Sequence, residues 1–321
     1  MENQDIIIQQ DLDSVEEILS SVLTDSIYEA SINEMCLRVV KSGGKRIRPM
    51  LSLMAWHALG DKGEKKSILN FAAATELLHT ATLVHDDVID KATVRRGNAT
   101  LNETDGNHAA VLAGDYLFTR CFFCIHDINN QRIGNMLNNT LASLVSGEIK
   151  QLHTQGNLNI SISEYEQTIY CKTGALFELA TAGAAILSDE NESVIESLQE
   201  YGKQLGIAFQ VADDILDYTS SSDTLGKNIG EDLEDGRITL PLILALKNCS
   251  TEDRLLLEDA IRNVNLDSVL SFIDKTDSIQ KSKDFALDAV QKAKKALTSL
   301  PQTQYRKNLE ELALKAATRS N

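Results

Sequence analysis

Apolar positions along the chain recur mainly at helical spacing. Val15, Ile18, Leu19, Val22 and Leu23 follow an i, i+3, i+4, i+7, i+8 pattern, which predicts an amphipathic helix, and residues 11–41 read as helices. Residues 50–60 and 67–90 are apolar nearly all round (Ile68, Leu69, Phe71, Leu77, Leu78, Leu83, Val84), which places that stretch at the centre of its fold. Further helices are predicted over 108–127, 134–153, 164–187 and 195–218. Another opens at Pro241, and a more polar helical remainder runs to Asn321. Period-two runs are scarce and only three prolines occur, so long helices are favoured. The expected fold class is all-α, a single large bundle forming one domain over residues 1–321. The polar loop 188–193 is the best candidate for an internal boundary. No period of 20–50 residues recurs, which excludes a solenoid.

The apolar pattern breaks where carboxylates interrupt it. The stretch from His79 to Asp90 begins as an apolar helix and ends in Asp86, Asp87 and Asp90, spaced D-D-x-x-D. On a helix Asp86 and Asp90 fall one turn apart on one face, with Asp87 roughly 100° round from Asp86. Carboxylates at the end of a buried helix are costly unless a cation pairs them. Oxygen-only ligands suit Mg²⁺, which is held by one or two carboxylates together with substrate phosphates. Asp213, Asp214 and Asp217 repeat the pattern on a second apolar helix, with Gln210 on the same face. Phe209, Val211, Ala212, Ile215 and Leu216 surround that face, which argues against plain solvation. Two such clusters facing each other would hold a metal–diphosphate, and the two helices suggest pseudo-symmetry.

Cations gather near the same places. In Ser42-Gly43-Gly44-Lys45-Arg46-Ile47-Arg48-Pro49 the glycine pair ends one helix and Pro49 sits in the first turn of the next. Three cations at a helix start conflict with the macrodipole, and an anionic ligand would relieve that conflict; a solvated basic loop is the plain alternative. Arg95 and Arg96 follow the first aspartate cluster, and guanidinium forks suit diphosphate. His79 lies two turns before Asp86 on one face, as a core histidine or as a diphosphate contact. Gly147-Glu148 with Gln151, and Lys172-Thr173-Gly174, form two further polar patches, and a buried lysine needs a partner. The segment from Ser220 to Arg237 reads as a lid-like loop with Lys227 and Arg237 as its cations. In Cys121-Phe122-Phe123-Cys124-Ile125-His126 an isoleucine follows the second cysteine, so haem attachment fails and both cysteines read as packing residues.

Composition narrows the function classes. At 43% hydrophobic, the 321-residue chain can bury a sizeable core. A net charge of −16 without a basic stripe excludes nucleic acid as a partner. The same charge opposes a diphosphate ligand, so that reading requires divalent metal and locally concentrated Lys and Arg. The acidic N-terminus with its short Ile6-Ile7-Ile8 run is no signal core, and no apolar run approaches the ~18 residues of a membrane span. A cytoplasmic location is expected, and five scattered cysteines fit a reduced compartment. No Ser-His-Asp grouping, Walker loop or dinucleotide fingerprint is evident. Metal, Lys and Arg would neutralise a departing diphosphate. An apolar pocket would shield an allylic carbocation from water.

The ordered set Gly43 to Pro49, His79 to Asp90, Arg95-Arg96-Gly97, Gly114-Asp115, Lys172-Thr173, Phe209-Gln210 to Asp217 and Gly226-Lys227 resembles the trans-polyprenyl diphosphate synthases. The tail Leu300-Pro301-Gln302-Thr303-Gln304-Tyr305-Arg306 is most similar to the bacterial members that make an octaprenyl chain. The resemblance implies long helices around a central cavity, as in isoprenoid synthases, and an ionisation–condensation–elimination mechanism in which released diphosphate accepts the proton. It implies that Lys45, Arg48, His79 and Arg96 bind isopentenyl diphosphate, and that Arg95, Lys172, Thr173, Gln210 and Lys227 bind the allylic diphosphate. It implies Mg²⁺ as cofactor on Asp86 and Asp90, with Asp213 completing the site from the opposite helix. Asp87, Asp214, Asp217, Lys172 and Lys227 join the catalytic set. Ala81 and Thr82, small residues just before the first motif, would set product length; the implied product is long, octaprenyl first, for a quinone side chain. Geranylgeranyl, heptaprenyl, nonaprenyl and decaprenyl products stay open. A homodimer is implied, without a transmembrane segment and with loose membrane association for product release. Gly174, Asn228 and Arg237 depart from the alanine, proline and lysine frequent in the family. The rivals are a terpene cyclase, a metal-dependent phosphohydrolase built on His85-Asp86 with His57 as the sole upstream histidine besides His79, and a non-catalytic partner subunit.

Overall fold

The computed structural model describes residues 2–24, 30–219 and 229–318. The all-α expectation holds, and among the described residues the only strands are a two-residue antiparallel ribbon. Helix α1 (Glu2–Val22) begins earlier than the apolar spacing predicted, because Ile8 extends the buried stripe of Val15, Leu19 and Leu23 back toward the N-terminus. Then follow α2 (Ala30–Lys41), α3 (Ile47–Ala58) and α4 (Lys65–Ile89). The ribbon pairs β1 (Val94–Arg95) with β2 (Asn98–Ala99). Next come α5 (Leu101–Thr104), α6 (Asn107–Ile128), α7 (Gln131–Thr154) and α8 (Ile162–Ile169). The helix predicted over 164–187 is interrupted by a π-turn at Tyr170–Gly174 before α9 (Ala175–Leu187). Helix α10 (Glu192–Thr219) carries the second aspartate motif. Helices Leu240–Asn248, Thr251–Arg262, Leu266–Lys275, Ser278–Ala296 and Gln304–Thr318 follow.

The chain divides into two compact units. The first comprises Met1–Asn138, Leu179–Leu198 and Leu300–Leu309, so the polar loop 188–193 lies inside it and is no boundary. Helix α4 is its centre and packs on α1, α3 and α6, burying Phe71, Ala72, Ala73, Ala74, Leu77, Leu78, Ala81 and Val84. Burial on every side explains why this stretch lacks an amphipathic stripe. His85 lies against Gly114 of α6 so closely that a Cβ there would overlap its ring. At the far end of α4, His57 bonds Asp11 at 2.9 Å and Asp61 at 2.5 Å, and Lys65 pairs Asp11 at 2.6 Å. The His57 ring also stacks on Tyr305 with centroids 4.6 Å apart. Cys121 and Cys124 are buried, as the packing reading expected, and burial pushes the Cys124 thiol up to about 12.

The second unit comprises Asn139–Glu178, Gln199–Ser299 and Glu310–Asn321. There the helix Leu240–Asn248 packs on Ser278–Ala296, burying Leu242, Ala245 and Leu246 with Ala286, Ala289, Val290 and Ala293. The π-turn is gripped from two sides. A Cβ on Gly206 would come within 2.5 Å of Gly174 Cα, and one on Gly147 within 2.8 Å of Cys171 Cβ. Close backbone approach at both positions therefore requires glycine. A π-turn widens a helix locally and re-aims the side chains it carries. Here those are Lys172 and Thr173.

Candidate functional site

In the first unit, cations converge on His79. Gly43 (φ 95) and Arg46 (φ 46) turn the chain from α2 into α3. Arg46 is committed to the protein: it donates to Glu76 Oε1 at 2.8 Å and to Val40 O at 2.7 Å, and pairs with Glu16. Arg96 and Gly97 both have positive φ (52 and 77), the pattern of a two-residue type I′ hairpin turn. The loop expected after Asp90 is thus a tight ribbon, and it sends the Arg96 guanidinium to Gly43 O. A Cβ on Gly44 would lie 2.8 Å from Arg96 Nη1, so the second glycine of the pair makes room for that guanidinium.

Burial, with Arg96 adding and Glu76 opposing, brings Arg48 down to about 10. Burial first, then Arg48, Arg96, Arg95 and Arg46, hold the His79 imidazolium well below its ordinary range. A small cavity there is walled by Arg46, Glu76, His79, Asp87, Arg95 and Arg96. Four guanidiniums surround a neutral imidazole, with Arg46 paired to Glu16 and Glu76 and Arg95 to Asp87. The positive excess that remains is where a net −16 chain would attract an anion. Lys45 is exposed, and the structure gives it no contact in this cluster.

The His79 shift yields a pH prediction. An unfolded histidine titrates near 6.5, whereas His79 in the fold takes its proton only at much lower pH. Between those values the unfolded chain binds more protons, so His79 destabilises the fold as pH falls below about 6.5. Relative to wild type, His79→Gln should gain stability on acidification with a slope approaching about 1.4 kcal/mol per pH unit. Denaturant unfolding of both proteins from pH 7.5 to 5.5 checks this, and parallel curves would contradict it.

The aspartates of the first motif divide by environment. Asp87 is buried and accepts from Arg95 Nε at 2.6 Å, while burial raises its carboxyl above the usual range. Asp86 is half-buried and Asp90 exposed, one turn apart at the end of α4. Ala81 is fully buried; Thr82 is half-buried with its hydroxyl on His79 O at 2.8 Å. His85 turns to α6, with Nε2 3.1 Å from Val111 O and its ring against Phe118. Both His57 nitrogens are engaged near the start of the 25-residue α4, and His85 lies about 30 Å further along its axis at ~1.5 Å per residue. No His57–His85 metal site forms, so His57 supplies no ligand to a phosphohydrolase constellation on His85-Asp86.

In the second unit, Asp213 is exposed, Asp214 buried and Asp217 half-buried. Asp214 accepts from Tyr165 Oη at 2.6 Å and from Gln210 Nε2 at 2.9 Å; burial raises it to about 6 against those bonds. Asp217 accepts from the backbone N–H of Glu231 and of Asp232, each at 3.2 Å, so it caps the short turn that follows. Lys172 pairs with Glu148 at 2.9 Å, supplying the partner its burial required, and Thr173 donates to Gln210 Oε1 at 2.8 Å. Arg237, expected as a lid cation, is instead held by Asp232 at 3.2 Å and by Asp235. Asp232 lies close enough to Asp214 and Asp217 for burial and then Asp214 to drive its carboxyl well above the usual range. Lys227 and the rest of 220–228 lie outside the described residues.

Among the described residues no three His, Cys, Asp or Glu side chains form a metal cage of their own. In the first unit Asp86 and Asp90 are more accessible than Asp87, which accepts from Arg95. In the second unit Asp213 is more accessible than Asp214, which accepts from Tyr165, and Asp217, which accepts from backbone N–H groups. Carboxylate oxygens of this kind fit a Mg²⁺ ion completed by phosphate oxygens and water. Sequence reading missed Glu76, Tyr165 and Asp232. Glu76 had a signal, a carboxylate one turn before His79 inside an apolar run. Tyr165, 49 residues from Asp214, had none.

A family model described as polyprenyl synthetase matches residues 29–273. An all-trans-nonaprenyl-diphosphate synthase (geranyl-diphosphate specific) of Rhodobacter capsulatus is 39% identical over 319 residues, covering 97% of each chain. The octaprenyl diphosphate synthase of Haemophilus influenzae is 36% identical over 293 residues, 90% of this chain and 88% of the relative. A crystal structure of a polyprenyl synthase from Caulobacter crescentus, complexed with calcium and isoprenyl diphosphate, superposes with a TM-score of 0.90 at 33% identity, over 98% of this chain and 96% of that one.

Proposed function

We infer, from a chain that belongs to the polyprenyl synthetase family, that it extends an allylic diphosphate by successive isopentenyl units into an all-trans octaprenyl diphosphate for a quinone side chain. It is a long-chain trans-polyprenyl diphosphate synthase, a prenyltransferase of a divalent-metal-dependent family. The octaprenyl length and a farnesyl primer are the proposal. The observation that carries the reading is the ring of Arg46, Arg48, Arg95 and Arg96 around neutral His79, on the helix that ends in Asp86 and Asp90.

In this reading Arg48, His79, Arg96 and Lys45 hold isopentenyl diphosphate. Arg95, Lys172, Thr173, Gln210 and Lys227 hold the allylic diphosphate. Asp86, Asp90 and Asp213 would carry Mg²⁺, which when bound neutralises charge on the departing diphosphate. Asp87 fixes Arg95, Asp214 fixes Gln210, and Asp217 fixes the turn after α10. An apolar pocket would keep water from the allylic cation. No helix among the described residues is long and apolar enough to cross a membrane. We propose a cytoplasmic homodimer that meets the membrane loosely at product release.

Incubation with farnesyl diphosphate, isopentenyl diphosphate and Mg²⁺, followed by chromatography, tests the reading. A ladder ending at the octaprenyl chain is expected; a dominant nonaprenyl or decaprenyl product would move the length, and free phosphate alone would sink the reading. Ala81 and Thr82 are proposed to line the growing chain. Ala81→Tyr should shorten the product by several isoprene units in a radiolabelled-substrate assay, because a phenol ring in place of a methyl would cut short the path proposed for the growing chain. Unchanged length would rule that role out.

A further inference from the structure

Tyr165 of α8 is 4% exposed and donates to Asp214 Oδ2 at 2.6 Å. The other oxygen, Asp214 Oδ1, accepts from Gln210 Nε2 at 2.9 Å. A carboxylate only accepts, so this bond determines which end of the Gln210 amide points away from it. That end is Oε1, which accepts from Thr173 Oγ1 at 2.8 Å. One directed chain thus runs from a buried phenol, through two side chains of α10, to a hydroxyl on the π-turn. Its far end is next to Lys172, itself held by Glu148 at 2.9 Å. Every link is a side chain that the next one orients, and Tyr165 is the link furthest from any substrate contact.

We propose that Tyr165 is a positioning residue for the allylic diphosphate: through Asp214 it sets the Gln210 amide so that its second Nε2–H meets the phosphate while its Oε1 holds the Thr173 hydroxyl and so fixes Thr173 beside the ligand. The proposal rests on the reading of Thr173 and Gln210 as allylic contacts. Removing the phenol leaves Asp214 Oδ2 without its buried donor, so the carboxylate turns toward other donors and the Gln210 amide loses its fixed acceptor. The phenyl ring itself supplies packing, which Tyr165→Phe retains.

Steady-state kinetics of the full chain with farnesyl diphosphate, isopentenyl diphosphate and Mg²⁺ test it. Tyr165→Phe should raise KM for farnesyl diphosphate about tenfold, with KM for isopentenyl diphosphate within about twofold and kcat within about threefold of wild type. Thr173→Ala should raise the farnesyl KM on its own, and adding Tyr165→Phe to it should raise it little further, because both act through one chain of bonds. An unchanged farnesyl KM in Tyr165→Phe, an equal rise in both KM values, or fully multiplicative effects in the double variant would overturn the proposal. If Tyr165→Phe shows no cooperative unfolding transition, Asp214→Leu takes its place. A leucine gives the Gln210 amide no acceptor to fix it, so the same rise and the same non-additivity with Thr173→Ala are expected, and additivity overturns the proposal. A wild-type chain that makes no polyprenyl product would sink the functional reading and this proposal with it. Normal wild-type turnover with an unaffected Tyr165→Phe would sink only the role of Tyr165.

Discussion

Asp86→Ala should lower kcat/KM for condensation by about a thousandfold, with the fold unchanged. Asp86 and Asp90 stand one turn apart at the exposed end of α4, where a lost carboxylate opens no core cavity. Their neighbour Asp87 keeps its 2.6 Å bond to Arg95 in the variant, so the buried part of the motif survives. What would disappear is the oxygen ligand that the proposed function assigns to Asp86, for a cation that would offset the net charge of −16 at a substrate phosphate. The check is a rate measured across a Mg²⁺ titration, beside the far-ultraviolet circular dichroism and thermal midpoint of the same sample. Near-normal activity at limiting Mg²⁺ would contradict the metal role. A collapsed thermal midpoint would show instead that Asp86 holds the fold.

The second large effect is expected far from any carboxylate. Gly206→Ala places a Cβ 2.5 Å from Gly174 Cα, and a backbone atom cannot step aside as a side-chain tip can. Helix α10 must move off the π-turn, at a cost of about 1–3 kcal/mol. The same displacement shifts Lys172 and Thr173 relative to Gln210, and misplacement by about 1 Å is enough to cost roughly a hundredfold in rate. Gly134→Ala in α7 is the control, since a Cβ there meets nothing within 4 Å. It should stabilise by about 0.4–1 kcal/mol by restricting the unfolded chain. Differential scanning calorimetry and turnover on both variants decide the matter. A Gly206→Ala protein with wild-type Tm and rate would mean that the close approach is not required.

The helices were largely legible because their signal is periodic and local. The apolar run over 67–90 became α4, and Pro241 lies in the first turn of its helix as read. Two local features escaped that logic. The π-turn at Tyr170–Gly174 interrupts a run that reads as continuous helix. Its cause lies on other helices, in the glycines at 147 and 206 that leave room for a wider turn. The ribbon at 94–99 depends on Arg96 taking a positive φ, which residue type alone does not announce.

At the candidate site the same division holds. Residue order and helical spacing were enough to put Asp86 and Asp90 one turn apart and to set His79 on their helix, because one turn of helix places i and i+4 together whatever surrounds them. The expectation of Arg48, Arg95 and Arg96 as phosphate ligands came from their charge and from the family resemblance instead. Tertiary structure alone decided how members of each motif divide their work. Asp87 took Arg95, Asp214 took Tyr165 and Gln210, Asp217 took two backbone N–H groups, and Arg237 closed on Asp232. Those partners come from distant segments, and a buried carboxylate is stabilised by whichever donor the packing brings to it.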